Sequence, residues 1–153
     1  MKNILKICLA ISPLLLAGCS STYETGDYYS SGDVKGIVVK SDADGKARLV
    51  LSFDEVANLT ADSAARWVAE YDNGQWRLPT KEEMTFMKKH RSLINKTLER
   101  KGQPLMLAGF TYYWTSTACS ESHTYAGGPE GVKCYFNSNA SPNYKARAVR
   151  DIE

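Results

Sequence analysis

The chain has 153 residues, 43% hydrophobic and 24% charged, which is ordinary for one globular domain of common size. Its formal charge is +2, but two of the 19 basic residues, Lys2 and Lys6, lie in an N-terminal leader that holds no acid, so the remainder balances 17 basic against 17 acidic residues. A neutral domain without a polybasic run lacks the cationic face that nucleic acid requires, and equally the cluster that draws a protein to anionic lipid.

Lys2 and Lys6 form a positive segment ahead of an apolar stretch, Ile7 to Leu16. That stretch is too short to cross a bilayer core of ~30 Å as a helix, and it reads as an export signal. Leu16-Ala17-Gly18-Cys19 then places small residues directly before a cysteine, which resembles the bacterial lipobox. The resemblance implies that residues 1–18 are a signal peptide and that Cys19 carries diacylglycerol on its sulfur. Its amine is acylated after cleavage, and several chains together anchor stably where one is marginal. Ser20, rather than an aspartate, follows, as in lipoproteins sent to the outer membrane; the leaflet stays open. Residues 19–33 are rich in Ser, Gly and Tyr without apolar periodicity, which predicts a lipidated flexible tether with a mean reach of about 20 Å. Tyr23, Tyr28 and Tyr29 could alternatively touch headgroups or the domain.

Of four cysteines, Cys8 leaves with the leader and Cys19 is lipidated. Cys119 and Cys134 remain, and in an exported protein they are expected to form a disulfide. The closed loop of about 15 residues contributes ~3 kcal/mol on the chain-entropy account. A reactive or metal-bound pair is the alternative, but neither His90 nor His123 has ligand spacing to the cysteines, and no metal or cofactor is expected.

The domain proper is expected over residues 34–153. Gly36 to Val39 reads as a strand, and Ala47 to Phe53 alternates apolar and polar positions as a second. Ser41-Asp42-Ala43-Asp44-Gly45 between them is a hairpin turn; it lacks the further oxygen ligands of a calcium loop. Thr60 caps a helix running to about Tyr71, which Asp72-Asn73-Gly74 ends. Thr80 and Glu83 form a capping box that starts a helix at Lys81, with Met84 and Met87 inward. A break near Arg91-Ser92 allows Ser92 to cap a further segment, stopped by Gly102 and Pro104. Tyr112 to Thr117 is a strand by composition. A long loop is expected from Ala118 to about Gly131, then strands at Val132–Phe136 and Tyr144–Ile152 around a polar turn. Strands, two helical regions, then strands predict an α+β fold with helices beside antiparallel sheets.

Three segments in this order, Trp76-Arg77-Leu78-Pro79-Thr80-Lys81-Glu82-Glu83, Tyr113-Trp114-Thr115-Ser116-Thr117 and Ala146-Arg147-Ala148-Val149-Arg150, resemble the bacterial major-paralogous-domain family (FISUMP) of exported lipoproteins. The likeness covers about residues 34–153. It implies a C-type-lectin-like fold in which the chain ends pair in a sheet and a long, loop-rich C-terminal part forms a ligand-binding face. It also implies core roles for Trp76, Leu78 and Trp114, and buried partners for Arg77, Arg147 and Arg150. Calcium-dependent sugar binders of this fold carry acid-bearing triplets. Here Ser141-Pro142-Asn143 lacks the acid, so no calcium site is expected.

The leading expectation is an envelope-anchored, non-catalytic, calcium-independent binding domain for a glycan or an envelope or host protein. Its face is expected from Glu121, His123, Tyr125, Asn137, Asn139, Asn143 and Tyr144, because Tyr and Asn on held loops suit recognition. His123 there would make binding respond to pH near about 6 to 7. One alternative is a structural accessory lipoprotein of an envelope or fimbrial assembly, with an exposed apolar patch. Another is a thiol-using enzyme akin to the formylglycine-generating relatives of the fold, for which only Lys133 adjoins a cysteine.

Overall fold

A computed structural model describes residues 21–153; the expected signal peptide and Cys19 lie outside the described residues. Three antiparallel strands come first: β1 (Tyr28–Ser31), β2 (Val34–Ser41) and β3 (Ala47–Ala57). Alternation sends Ile37 and Val39 to one face and Val38 to the other, so both faces of this sheet are apolar. The β2–β3 turn is the one expected. The Asp42 carboxylate accepts from the N–H groups of Asp44 (3.0 Å) and Lys46 (2.9 Å), and Gly45 takes the left-handed conformation at φ 76°.

The predicted tether is corrected for most of its length. Tyr28–Ser31 pair with Val34–Ile37, and Gly32 at φ 58° turns between them. Ahead of β1, the Tyr23 N–H bonds Gly45 O (2.7 Å) and the Gly26 N–H bonds Val38 O (2.8 Å). Polar composition masked a strand whose tyrosines pack: Tyr29 is buried, and the Tyr23 ring lies 5.4 Å from it.

The closing strand β7 (Tyr144–Asp151) runs antiparallel beside β3. On its other side comes β4 (Tyr112–Ser120), then β5 (His123–Gly128) and β6 (Gly131–Phe136), in a seven-stranded order β1-β2-β3-β7-β4-β5-β6. The β4–β7 pair is parallel, so the sheet is mixed rather than purely antiparallel. The expected long loop at 118–131 is also corrected. It is the β4–β5–β6 meander, with a two-residue turn at Glu121-Ser122 and another at Pro129-Glu130. The disulfide is present and joins Cys119 on β4 to Cys134 on the edge strand β6.

β4 and β7 pair only at Tyr112–Tyr144 and Tyr113–Lys145 before they separate. The Trp76–Thr80 strip enters the gap. Arg77 exchanges backbone bonds with Val149 (2.9 and 2.8 Å), and Pro79 O accepts from the Ser116 N–H (2.9 Å). This is why that motif is rigid: it bridges two halves of one sheet.

Helix α1 (Ala61–Glu70) covers one face, and α2 (Lys81–Lys89) with α3 (Arg91–Arg100) covers the other. Thr60 caps α1, and the expected Thr80–Glu83 capping box opens α2. Ser92 does not cap α3. The break falls at His90, whose N–H still bonds Phe86 O while its own O accepts from Leu93 and Ile94, so no capping side chain is needed. A 3-10 turn, Tyr71–Gly74, ends α1 with Asp72 and Asn73 left-handed at φ 47° and 57°. Trp76, Leu78 and Trp114 are buried as expected. The architecture is α+β: two apolar layers on either side of a mixed sheet.

Candidate functional site

The seven expected binding residues do not form one face. Successive β5 side chains alternate, and Gly127 points at Met84 of α2, where an added Cβ would lie 2.6 Å from Met84 Cγ. His123 and Tyr125 share that side. Tyr125 lies under Lys81 Nζ (4.2 Å to the ring centre), and His123 packs on Phe136 with Nδ1 2.9 Å from Ser122 Oγ. Asn137 holds the turns together: its Nδ2 donates to Glu121 O (3.1 Å), and its O accepts from the Ala61 N–H at the start of α1 (3.0 Å). Asn139, Asn143 and Tyr144 gather on the α1 side. Asn139 Nδ2 donates to Tyr144 Oη (3.0 Å), and Asn143 O accepts from the Tyr112 N–H (2.8 Å).

Two aromatics that sequence reading missed complete that group. Tyr144 stacks between Tyr112 (4.9 Å, 16°) and Trp114 (5.2 Å, 27°), and Tyr135 meets Tyr112 edge-on at 5.1 Å. The cluster rests on Gly128, where a Cβ would lie 2.6 Å from the Tyr112 ring. The Tyr135 hydroxyl lies over Gly128, 3.5 Å from where a Cβ there would sit.

On the same face a cleft of about 310 Å³ opens between α1 and the β4–β5 hairpin. Ala61, Ala65, Val68, Leu78 and Ala118 make its apolar walls, and Asp62, Ser116 and Thr124 supply polar atoms. Ala61 is bonded to Asn137, so the turn after β6 adjoins the cleft, while the aromatic cluster sits over Gly128 at the other end of β5. The cleft exists because β4 leaves β7 and because small residues face it. Ala61, Ala65 and Val68 form one helical stripe, and no large side chain fills the space opposite. That stripe of small residues was the available signal.

Arg77 also lines the cleft, but it has nothing to offer a ligand. It donates two bonds to Glu83 (2.8 Å each), two to Asp151 (2.8 and 2.9 Å) and one to Leu78 O (3.3 Å). A guanidinium has five N–H donors, and all are used. Burial pushes the Glu83 carboxyl up, but the Arg77 bonds and the Thr80 N–H outweigh this and hold it below the usual range. The cleft thus presents no unanswered cation. A neutral ligand with an apolar face and hydroxyl groups matches this lining, within the usual size range of ligand sites.

A second concavity, about 470 Å³, is bounded by Asp33, Phe53, Asp54, Tyr71, Asp72 and Trp76 among others. Two of its three acids already serve the fold: Asp54 accepts from Tyr71 Oη (2.7 Å), and Asp72 from Trp76 Nε1 (2.9 Å). Among the described residues no group of three His, Cys, Asp or Glu is placed to hold a metal ion. No protein-family model matches the chain, and no curated protein matches it either.

Proposed function

We propose that this protein is an envelope-anchored lipoprotein whose single domain is a non-catalytic, calcium-independent binding module for a neutral glycan. In this reading the domain is C-type-lectin-like and akin to the FISUMP family. The split between β4 and β7, bridged by the Trp76–Thr80 strip, supports it. The carrying observation is the cleft under α1. Apolar alanine and valine walls take the C–H face of a sugar ring, and Asp62, Ser116 and Thr124 take its hydroxyl groups. The test is a screen of the purified full chain in detergent against neutral glycans. A hit should lose binding in Ala65→Phe, which fills the cleft from an exposed position and should leave stability within about 0.5 kcal/mol. Retained binding in that variant would reject the site.

A specific observation favours the accessory-lipoprotein reading as second. Phe110 is 77% exposed and Leu105 42% exposed on the loop between α3 and β4. If this loop seats a protein partner, Phe110→Ser abolishes capture of envelope proteins by the tagged chain while glycan binding is unchanged. A thiol-using enzyme would need the Cys119–Cys134 pair reduced.

A further inference from the structure

We infer that the end of the domain formed by Ser21–Tyr23, the β2–β3 turn and Ile152-Glu153 is a lipid-facing surface, so that the molecule rests on its membrane in one orientation. This rests on the reading of Cys19 as the lipid-bearing residue. From Tyr23 onward the chain is fixed. The Tyr23 and Gly26 N–H groups bond Gly45 O and Val38 O, Thr25 Oγ1 donates to Val39 O (3.0 Å), and Gly26 O accepts from Thr97 Oγ1 (2.6 Å). Thr22 packs so closely on Gly45 that a Cβ there would lie 2.8 Å from Thr22 Cβ. Fully extended, the step from Cys19 to Tyr23 spans at most about 14 Å. The lipid is therefore held close to this one end.

The neighbouring surface suits a headgroup layer. A groove of about 310 Å³ is lined by Ser21, Tyr23, Tyr29, Lys46 and Ile152, with Glu153 beside them. Tyr23, which is half-buried over the buried Tyr29, has the apolar ring and polar tip that favour the interface between lipid and water. Lys46 and Glu153 both line the groove, the turn adds Asp44 and an Asp42–Arg48 ion pair, and the surface therefore has no cationic excess to draw anionic lipid. Position comes from the short tether and the interfacial side chains, and it should survive added salt. The occupant is the phospholipid headgroup layer around the anchor. The opposite end stands well away. β3 starts at Ala47 beside this surface and rises about 3.4 Å per residue over its length to Ala57, which pairs with Lys145. Tyr144, Tyr112 and the exposed Phe110 follow at that far end.

The experiment uses the full lipidated chain in vesicles of phosphatidylethanolamine and phosphatidylglycerol that contain a headgroup nitroxide. Fluorophores are placed on Asp44→Cys or Phe110→Cys, both exposed positions. The label at 44 should be quenched several-fold more strongly than the label at 110, and a long Gly/Ser insert between Ser20 and Ser21 should erase the difference. Equal quenching on a chain whose N-terminal peptide is lipidated by mass overturns the orientation alone. An unlipidated Cys19 overturns the anchor reading and the orientation with it.

Discussion

Glu55 shows how much one residue decides. Its carboxylate accepts from Lys145 Nζ (2.7 Å), Arg147 Nη2 (2.7 Å) and Tyr113 Oη (2.7 Å), and the Arg147 side chain is fully buried. Arg147 also donates to Pro104 O (2.9 Å), which ties the loop after α3 to the sheet. Burial pushes the Glu55 carboxyl up, but these donors outweigh it and hold it below the usual carboxylate range. A depressed folded-state pKa gives stability that is present above the unfolded value of about 4.3 and is lost as pH falls through the folded one. Denaturant melts should therefore show stability declining below about pH 4, with a smaller decline in Glu55→Gln. The same substitution at neutral pH leaves two cations without their acid and should cost about 3–5 kcal/mol. Sequence reading expected Arg147 to meet a buried acid or carbonyl, and it does. Which acid was illegible, because Glu55 lies 92 residues away and only the β3–β7 register brings it there.

Local signals made the helices and the covalent staple legible. The Thr80–Glu83 box is chemistry contained in four residues, and it forms as read. Thr80→Ala should cost about 1 kcal/mol by urea titration, since it removes the bond to the Glu83 N–H and loosens Glu83 from its place beside Arg77. Replacing Cys119 and Cys134 together by serine should cost ~3 kcal/mol, and reductant should have the same effect on the native chain and none on the variant. Two elements were misread for one reason. β1 and β5 are poor in aliphatic residues, with Ser, Gly, Thr and Tyr in their place, and composition then resembles a loop. Both are strands because a neighbour supplies the ladder: β2 for β1, and β4 and β6 for β5.

At the scale of the whole molecule, strand order was beyond the pattern of residues. The closing strand between β3 and β4 makes the two halves of the sheet, and their parting makes the cleft. This explains why the expected site was only partly legible. Tyr144, Asn139 and Asn143 were named and do gather, but period-two alternation turns His123 and Tyr125 to the other face. The cleft and its α1 wall were missed because a void between small side chains depends on what is opposite. With His123 facing away from the cleft, His123→Ala is expected to bind a glycan hit with unchanged affinity and pH response; a lost response would place the ligand on the α2 side instead.

The cleft is tested most directly by titrating a glycan hit from the screen into the isotopically labelled chain and following backbone amide shifts. Ligand seated under α1 predicts shifts at Ala61, Asp62 and Ala65, at Ser116 and Ala118, and at Thr124 and Tyr135. Shifts confined to the groove of Asp33, Asp54 and Trp76, or to His123 and Tyr125, would contradict it.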